Sequence, residues 1–462
     1  MFYKDRKWHP ALSPALWLPT LWIWRCASRG IGAWFTGGDP EAAADVGWYD
    51  PVFLSLCTVA GWAVLARRNI NWSELVRSNF WLLVFFGYMA VSIAWSPEAF
   101  VCFKRWVRAS GDLTMALVVA TNPGGQLQGI IAVLRRCGYL LVPFSIVLAK
   151  YFPDLGRSHA KHWASDEWIG VATQKNNLGM LCMVVGLWLM WEFWHLGRSR
   201  ALMPAKEFKS KRFFLLLYAA MTAYLFNGGG TARSMTSIIT LAVGVLVFWQ
   251  LSVWLENPVK FRRRAVAAAV AWLLLQPGCQ AVFGEPFSNF ALEAMGRDPT
   301  LTGRSQLWHD CIEIGMKHPV LGSGYMGFWT DETIIAIAVN NTNAPTECHN
   351  GYIEIFVELG IVGLALFLPV IISGLAGVWR LMRADFEHGR FCVTLLVVVV
   401  IHNFSESGFP RATYLTWFVF LLAVVNAWHG LPETVRSSSA AEPVPDGQRE
   451  FAGETAGEMS AA

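Results

Sequence analysis

The stretch SIITLAVGVLVFWQLSVW, residues 237–254, carries no charged side chain. A helix needs roughly 20 mostly apolar residues to cross the hydrocarbon core of a bilayer. Similar runs recur along the chain, for example GIVGLALFLPVIISGLAGVW at 360–379. The 462 residues are 54% hydrophobic and only 15% charged, which is far from the composition of a soluble domain. The sequence therefore predicts an all-α, polytopic integral membrane protein.

Hydrophobic runs and their basic flanks predict about 12 transmembrane helices. These runs lie near 10–26, 50–66, 79–95, 106–121, 138–152, 178–195, 213–227, 236–255, 265–283, 351–379, 391–404 and 413–429. We interpret residues 1–432 as one membrane domain with a large outer loop at about 284–350. The tail at 433–462 is small and polar, so we expect it to be disordered.

Clusters of lysine and arginine predict the orientation, because cytoplasmic loops retain positive charge. If the N-terminus is cytoplasmic, the clusters all fall on the cytoplasmic side, at 1–7, 66–69, 134–137, 197–212, 260–264 and 380–390. The C-terminal tail then also lies in the cytoplasm, and the loop at 284–350 faces outside. The first span could instead be a signal peptide, but it lacks a clear small-residue cleavage site.

Several classes of function are disfavoured by composition. A net charge of +4 without a basic, aromatic-interleaved groove gives no indication of a nucleic-acid partner. The nine cysteines show no CxxC spacing, which argues against a structural zinc site, and no cofactor is implied. Cys311 and Cys348 fall in the outer loop, where a disulfide would be permitted, and that pairing stays open. The GxGxxG pattern within LGSGYMG (321–327) lacks a βαβ unit and predicts a tight turn instead of a nucleotide site.

Polar motifs open four of the spans that run inward from the outer surface. Helix N-termini favour anions, since their backbone N–H groups are unpaired and the helix dipole is positive there. Together with Arg304, these ends predict a cationic pocket for a membrane-bound phosphate or pyrophosphate. The motifs are TQKNNLG (173–179), GGGTARSMTS (228–237), ECHNGYIE (347–354) and SESGFPRAT (405–413).

Each of these residues also has a structural explanation. Lys175, Arg233 and Arg411 could anchor helix ends among lipid phosphates, which is the commoner role of an interfacial base. His349 could be an ordinary residue at a helix start, and Asn350 could be an N-cap. The occurrence of four such ends on one side favours a binding site.

Three stretches between 302 and 367 resemble a known family: TGRSQLW, HPVLGSGYMGFW and HNGYIEIFVELGIVGLALF. They resemble the signature region of the bacterial O-antigen ligase and O-antigen polymerase superfamily, which includes exopolysaccharide-production polymerases. We place this ligase-like region at about 228–405. The resemblance implies a multi-pass enzyme of the bacterial inner membrane with a large periplasmic loop.

The resemblance implies inverting transfer of a glycan from undecaprenyl diphosphate to a sugar hydroxyl at the periplasmic face. The acceptor would be another lipid-linked glycan for a polymerase, or the lipid A-core of lipopolysaccharide for a ligase. Membrane lipid and other polysaccharide assembly proteins are further expected partners. The alternative function is a transporter or flippase of lipid-linked oligosaccharide, but such carriers usually place charges near the bilayer midplane, and the predicted spans are nearly free of charge.

The resemblance also implies roles for individual residues. Arginines at the positions of Arg233 and Arg304 would hold the diphosphate, with Lys175 and Arg411 nearby. A guanidinium presents paired donors that suit phosphate oxygens. His349 would accept the proton of the attacking hydroxyl. Because arginines and helix ends can supply the positive charge, transfer is expected to need no metal. The predicted catalytic residues are His349, Arg304 and Glu347, and either Glu347 or Glu406 could share the role of base.

Overall fold

The computed structural model describes residues 12–36, 47–159, 166–228, 233–257, 259–264, 266–267, 270, 304–339 and 345–425. Within these residues the chain is almost entirely helical, which confirms the predicted all-α class. One antiparallel pair of short strands, Arg157–His159 (β1) and Asp166–Trp168 (β2), is also present. The predicted tail, residues 284–303 and 340–344 of the outer loop, and almost all of the predicted span at 265–283 lie outside the described residues.

The first half of the chain forms helices wherever an apolar run was predicted to span. These helices are Trp17–Cys26 (α1), Ile31–Phe35 (α2), Tyr49–Ala66 (α3), Trp72–Ser78 (α4), Phe80–Val91 (α5), Ala99–Ala120 (α6), Gln126–Tyr151 (α7) and Pro153–Gly156 (α8). Short 3-10 turns at Pro14–Leu16 and Ser92–Trp95 adjoin α1 and α5.

The rest of the chain contains the longest helix and the two short helices of the outer loop. These are Lys175–Arg198 (α9), Ala205–Asn227 (α10), Met235–Glu256 (α11), Arg304–Gly315 (α12), Asp331–Ala338 (α13), Gly351–Ala384 (α14), Phe386–His402 (α15) and Leu415–Val424 (α16). A 3-10 turn at Ser199–Leu202 continues α9.

In the described part of the chain, five helices are long and apolar enough to cross a membrane: α3, α7, α9 with its 3-10 turn, α11 and α14. A sixth candidate is the pair formed by α4 and α5 with its 3-10 turn, which is bent by 81°. The other predicted spans within the described residues are helical but shorter or more charged. Helix α6, for example, carries four charged side chains, Lys104, Arg105, Arg108 and Asp112.

Burial separates central helices from peripheral ones. In their most apolar 18 residues, α7 and α9 are 72% and 67% buried, whereas α3 and α11 are only 22% and 28% buried. Leu56 and Val59 of α3 are two-thirds exposed. An apolar face that no other helix covers has no stable place in water. Helices α7 and α9 therefore form the centre, and α3 and α11 present their outer faces to lipid.

The basic cluster at 134–137 was predicted to be a cytoplasmic loop, and this prediction is wrong. Arg135 and Arg136 lie inside α7 and are nearly fully buried. Arg135 pairs with Glu192 of α9 at 3.2 Å, and Arg136 lies over the ring of Trp17. Since a buried charge is stable only when paired or hydrogen-bonded, these partners explain how the helix accommodates two arginines. The helix bundle is therefore not as free of charge as the sequence suggested.

The predicted continuous span at 351–379 is also wrong in one respect, because α14 breaks at Gly360. This glycine has a φ of +66°, and a Cβ there would lie 2.2 Å from the carbonyl oxygen of Val320. The backbone N–H groups beyond the break, of Ile361 and Val362, donate to the carbonyls of Pro319 and Val320 instead. The segment that contains Pro319 and Val320 thus crosses α14 at the break. It divides α14 into a short part before Gly360 and a part after Gly360 that is long enough to span a membrane by itself.

Candidate active site

Three helix N-termini and one loop meet at a single place in the structure. The loop is residues 403–414, between α15 and α16, and it contacts the beginnings of α9 and α11. Asn176 Nδ2 donates to Glu406 Oε1 at 2.9 Å, and the hydroxyl of Ser405 donates to Thr236 Oγ1 at 3.1 Å. The polar motifs that the sequence singled out therefore come together, although far apart in the chain.

The start of α14 is fixed by its N-cap. The side chain of Asn350 accepts from the backbone N–H groups of Tyr352 and Ile353 at 3.0 and 3.2 Å. This satisfies donors that have no partner within the helix. Its own N–H donates to Ser407 Oγ at 3.1 Å, which ties the helix start to the loop. The preceding residue, His349, has a φ of +50°, an uncommon backbone conformation for a residue with a Cβ.

His349 lies between two carboxylates. Its Nδ1 atom is 3.2 Å from Glu347 Oε1 and 3.5 Å from Glu406 Oε2. Nδ1 is buried, but a quarter of the side chain is exposed, so Nε2 is the nitrogen that a substrate can reach. Burial lowers the pKa of His349, but the charges of Glu406 and Glu347 outweigh burial and raise its pKa above the ordinary value. The carboxylates thus stabilise a positive imidazolium.

Each of the two carboxylates is also held by an arginine. Arg304, the first residue of α12, places Nη2 2.9 Å from Glu406 Oε1. The Arg411 guanidinium contacts the carboxylate of Glu347, and its Nη2 donates to the carbonyl of Thr346 at 3.0 Å. Both guanidiniums and both carboxylates are mostly buried. The result is a compact chain of alternating charges with the imidazole at its centre.

Glu406 remains ionised throughout the ordinary pH range. Burial raises its pKa, but contacts with His349 and the charge of Arg304 outweigh burial and lower the pKa to about 2. A carboxylate in this state accepts protons poorly and stabilises neighbouring positive charge well. Glu406 is therefore better suited to holding the two cations than to acting as the base.

The other basic side chains that were predicted to line the pocket, Lys175 and Arg233, differ in their surroundings. Lys175 Nζ is 2.6 Å from Glu167 Oε1, outside the chain of charges, although the adjacent Gln174 reaches Glu347 at 3.4 Å. Arg233 lies just before α11, is exposed, and makes no ion pair with another described residue. The sequence predicted a cationic pocket, but three of the four predicted bases are each paired with a carboxylate. Arg233 is the one still available for an added anion in the described part of the chain.

Buried polar residues hold the loop at 403–414 in place through hydrogen bonds to its backbone. Asp112 of α6 accepts from Trp22 Nε1 at 2.6 Å and from the Thr413 N–H at 2.9 Å. Asn403 accepts from the Gly408 N–H at 2.8 Å and from the next N–H at 2.9 Å. Sequence analysis missed both residues, because each lies in an apolar segment and its partner is far away or in an irregular turn.

Glu354 connects the outer loop to the site. It is fully buried and accepts from Trp329 Nε1 at 2.6 Å, from the Cys348 N–H at 2.8 Å and from the Ser407 hydroxyl at 2.9 Å. Glu354 thereby holds Cys348, which precedes His349, close to Trp329 in the segment before α13.

Cys311 and Cys348 lie in one small hydrophobic cluster with Leu307, Phe328 and Val357. Both are free thiols in this structure and both are fully buried. Their apolar contacts hold α12 against the segment that precedes His349.

Glu347, His349 and Glu406 also present three potential metal-ligand atoms within 4.8 Å of one another. Sequence analysis did not foresee this grouping. However, both carboxylates are already neutralised by Arg304 and Arg411, so a divalent cation would add its full charge to a balanced site. The donor set suits a protonated imidazole better than a metal ion.

Comparison with known proteins supports the resemblance seen in the sequence. A family model described as O-Antigen ligase matches residues 214–368, a range that includes Arg233, Arg304, Glu347 and His349. The exopolysaccharide production protein ExoQ of Rhizobium meliloti is 23% identical over 322 residues, which cover 67% of each chain.

Two putative polysaccharide ligases are also similar over shorter regions. The protein of Rickettsia conorii is 24% identical over 182 residues, 38% of this chain and 42% of its own length. The protein of Rickettsia felis is 22% identical over 232 residues, 47% of this chain and 48% of its own length. Together with the apolar helices, these matches confirm the predicted resemblance: residues 214–368 are similar to the O-antigen ligase family, and the chain is similar to proteins of polysaccharide biosynthesis.

Proposed function

We propose that this protein transfers a glycan from undecaprenyl diphosphate to a sugar hydroxyl, with inversion at the anomeric carbon. The observation that carries the proposal is the position of His349, whose Nδ1 is buried between two carboxylates while Nε2 remains accessible. This arrangement orients an imidazole for proton transfer in many enzymes.

In the proposed reaction, Nε2 of His349 accepts the proton of the acceptor hydroxyl. The hydroxyl oxygen forms a bond to the anomeric carbon as the bond from that carbon to the diphosphate oxygen breaks on the opposite face. The electron pair of the broken bond leaves with the diphosphate. Glu347 and Glu406 stabilise the imidazolium that forms, since their charges already raise the pKa of His349.

The leaving diphosphate needs positive charge, and the arginines are suited to supply it. Arg233 makes no ion pair among the described residues and lies at the N-terminus of α11, where helix N–H groups also favour an anion. Arg304 is oriented by Glu406 at the start of α12. We assign these two as the principal diphosphate ligands. Lys175 and Arg411 would add to the positive field only as far as their carboxylate partners allow.

The basic clusters support an outer, periplasmic location for the site. Clusters at 197–212, 260–264 and 380–390 lie at the ends of α9, α11 and α14 opposite to the site. Because positive loops remain in the cytoplasm, the site would face the other side of the membrane. On this basis we propose an inner-membrane protein with about 12 spans and both termini in the cytoplasm.

We also propose that transfer requires neither metal nor cofactor. Glu347 and Glu406 are each neutralised by an arginine, and the arginines can stabilise the diphosphate. The charge balance of the described site is the support for this proposal.

The acceptor would decide between polymerase and ligase. A polymerase would use another lipid-linked glycan, and a ligase would use the lipid A-core. Of the three relatives, ExoQ matches the largest share of the chain, and its name refers to exopolysaccharide production. This favours an exopolysaccharide polymerase.

A transporter or flippase of lipid-linked oligosaccharide is the second candidate, favoured by the charged side chains inside the bundle. Arg135 and Glu192 form a buried pair between α7 and α9. A carrier would need such charges to meet substrate. Glu192 already accepts from Trp188 as well, so this pair is satisfied by the protein itself. The accessible imidazole at the helix ends therefore favours the enzyme.

The test is His349→Ala in membranes supplied with lipid-linked donor and acceptor. Transfer should fall by about 10²–10⁴, the usual effect of losing a general base. Donor binding should persist, because the arginines remain. His309→Ala is the matched control, since His309 is exposed on α12. Transfer by His349→Ala at near the wild-type rate, with equal protein in the membrane, would show that this imidazole is not the base.

A further inference from the structure

A cavity of about 640 Å³ lies beside the segment 317–333, apart from the site around His349. Most of its lining comes from the segment between α12 and α13, and the rest comes from the turn at Trp95, the end of α12 and the start of α13. The volume is within the range of roughly 300–1,000 Å³ that is common for ligand pockets. No residue of the His349 site lines it.

The walls of this cavity are held in place. A Cβ at Gly327 would lie 2.4 Å from Ser96 Oγ, so this turn packs closely against the end of the 3-10 turn at 92–95. The Tyr325 N–H donates to Ser92 Oγ at 2.9 Å, and Arg105 donates to the carbonyl of Met326 at 2.5 Å. A pocket formed in advance loses little free energy to reorganisation when a ligand binds.

The lining is mostly apolar, and it combines aromatic rings with hydroxyl groups. Trp95 and Phe328 provide the rings, and Ser323, Thr330 and Thr333 provide the hydroxyls. The indole N–H of Trp95 is buried and has no hydrogen-bond partner within the described chain. A buried donor without a partner is costly, so an acceptor that reached this N–H would be favoured. A sugar offers both an apolar ring face and hydroxyl acceptors.

The charges argue against other ligands. Lys317 and His318 line the cavity together with Glu332, so it has no concentration of positive charge for a second phosphate. Much of the lining is apolar, but the charged ends of Lys317 and Glu332 would be unsatisfied against a lipid tail. A neutral polyhydroxylated ligand fits this mixture.

The cavity is connected to the His349 site by rigid structure. Helix α12 begins at Arg304 and ends at Gly315, close to the cavity, which corresponds to roughly 16 Å along a helix. Trp329, next to Phe328 of the lining, donates to Glu354, which in turn accepts from the Cys348 N–H. A glycan of a few sugars could therefore reach from one place to the other.

We propose that this cavity is a saccharide subsite, which binds a neutral part of a substrate glycan several sugars away from the bond that is made. The proposal rests on the proposed glycosyl transfer. The glycan could belong to the donor or to the acceptor, since both present the same chemistry.

The test uses the full-length protein in detergent and a soluble probe, the single-repeat oligosaccharide released by mild acid from the host's polysaccharide. Calorimetric titration should show saturable binding. Trp95→Phe removes the indole N–H and Thr333→Val removes a hydroxyl, and each should weaken binding roughly two- to tenfold, the effect of one lost contact of this kind. Trp249→Phe is the matched control, because Trp249 is exposed on α11, and it should bind normally.

His349→Ala distinguishes this proposal from the proposed function, since it should lose transfer but still bind the oligosaccharide. Equal binding by wild type, Trp95→Phe and Thr333→Val, or binding that depends on His349, would overturn the subsite while leaving the transfer reaction intact. Thermal unfolding of each variant shows whether it is folded.

Steady-state kinetics then show whether the bound glycan belongs to the donor or to the acceptor. The cavity variants should raise KM for the donor alone if the donor glycan occupies the cavity. They should raise KM for the acceptor alone if the acceptor glycan does.

Discussion

Glu406→Gln should move the acidic limb of the pH–rate profile to lower pH. In the wild-type protein the pKa of His349 is raised, so the neutral imidazole that can accept a proton becomes abundant only above the ordinary pKa of about 6.5. Activity should therefore rise with pH through a midpoint above that value. Replacing Glu406 removes one of the two negative charges that stabilise the imidazolium.

The size of the shift follows from the geometry. Nδ1 of His349 is 3.5 Å from Glu406 Oε2. Two unit charges at this separation interact by about 5 kcal/mol at an effective dielectric constant near 20. Burial and the newly unpaired Arg304 act in the same direction as the substitution, whereas Glu347 still holds the imidazolium at 3.2 Å. A downward shift of about 1–3 pKa units is the usual result of losing such a partner.

The assay is transfer of a labelled glycan in membrane vesicles between about pH 5 and pH 9, with rates fitted to a single ionisation. Glu313→Gln is the control, because Glu313 is exposed on α12 and the substitution removes the same charge elsewhere. The plateau rate of Glu406→Gln should also fall, since Arg304 loses its carboxylate partner. An acidic limb that stays in place, or that moves to higher pH, would refute the assignment of this limb to His349.

Three further predictions concern the arginines, the metal and the topology. Arg304→Lys keeps the charge but loses the planar fork, so transfer should fall at least tenfold. Arg262→Lys is the matched control, because Arg262 is exposed beyond the end of α11, and it should have little effect. A near-normal rate for Arg304→Lys in membrane assays would make Arg304 a lipid anchor. Transfer should persist in excess EDTA, and a complete loss restored by one particular cation would instead make Glu347, His349 and Glu406 metal ligands. In a cysteine-free background, a membrane-impermeant thiol reagent should label a cysteine at position 333 and not one at position 210, and the reverse pattern would place the site in the cytoplasm.

The positions of the helices could be predicted from sequence more reliably than their breaks. Apolar runs give the extents of α3, α9 and α11 to within a few residues, because burial in hydrocarbon requires length and apolarity and both can be read locally. The break at Gly360 depends instead on a carbonyl of Val320, which lies 40 positions earlier. The buried arginines of α7 mislead for the same reason: their partners Glu192 and Trp17 are far away in sequence.

The candidate site shows the same division between local and distant information. Residue types suited to proton transfer and to phosphate binding could be recognised from sequence, and the structure brings His349, Glu347, Arg304 and Arg411 together. Their pairing could not be predicted, because it depends on the loop at 403–414 being folded back onto the start of α14. The sequence suggested free cations, whereas the structure shows most of them in contact with carboxylates.

That pairing changes how the diphosphate would be recognised. An arginine without a partner would bind any anion that approached, including lipid phosphates, which are abundant at a membrane surface. Arg304 and Arg411 are each held by a carboxylate, so an anion must compete with that carboxylate or use the remaining N–H groups in the directions that the ion pair leaves open. Arg233 makes no ion pair among the described residues and could attract the anion first. A diphosphate, which has two phosphoryl groups, could contact Arg233 and Arg304 together, whereas a single lipid phosphate could satisfy only one of them, and the carboxylates would therefore add selectivity at a cost in affinity.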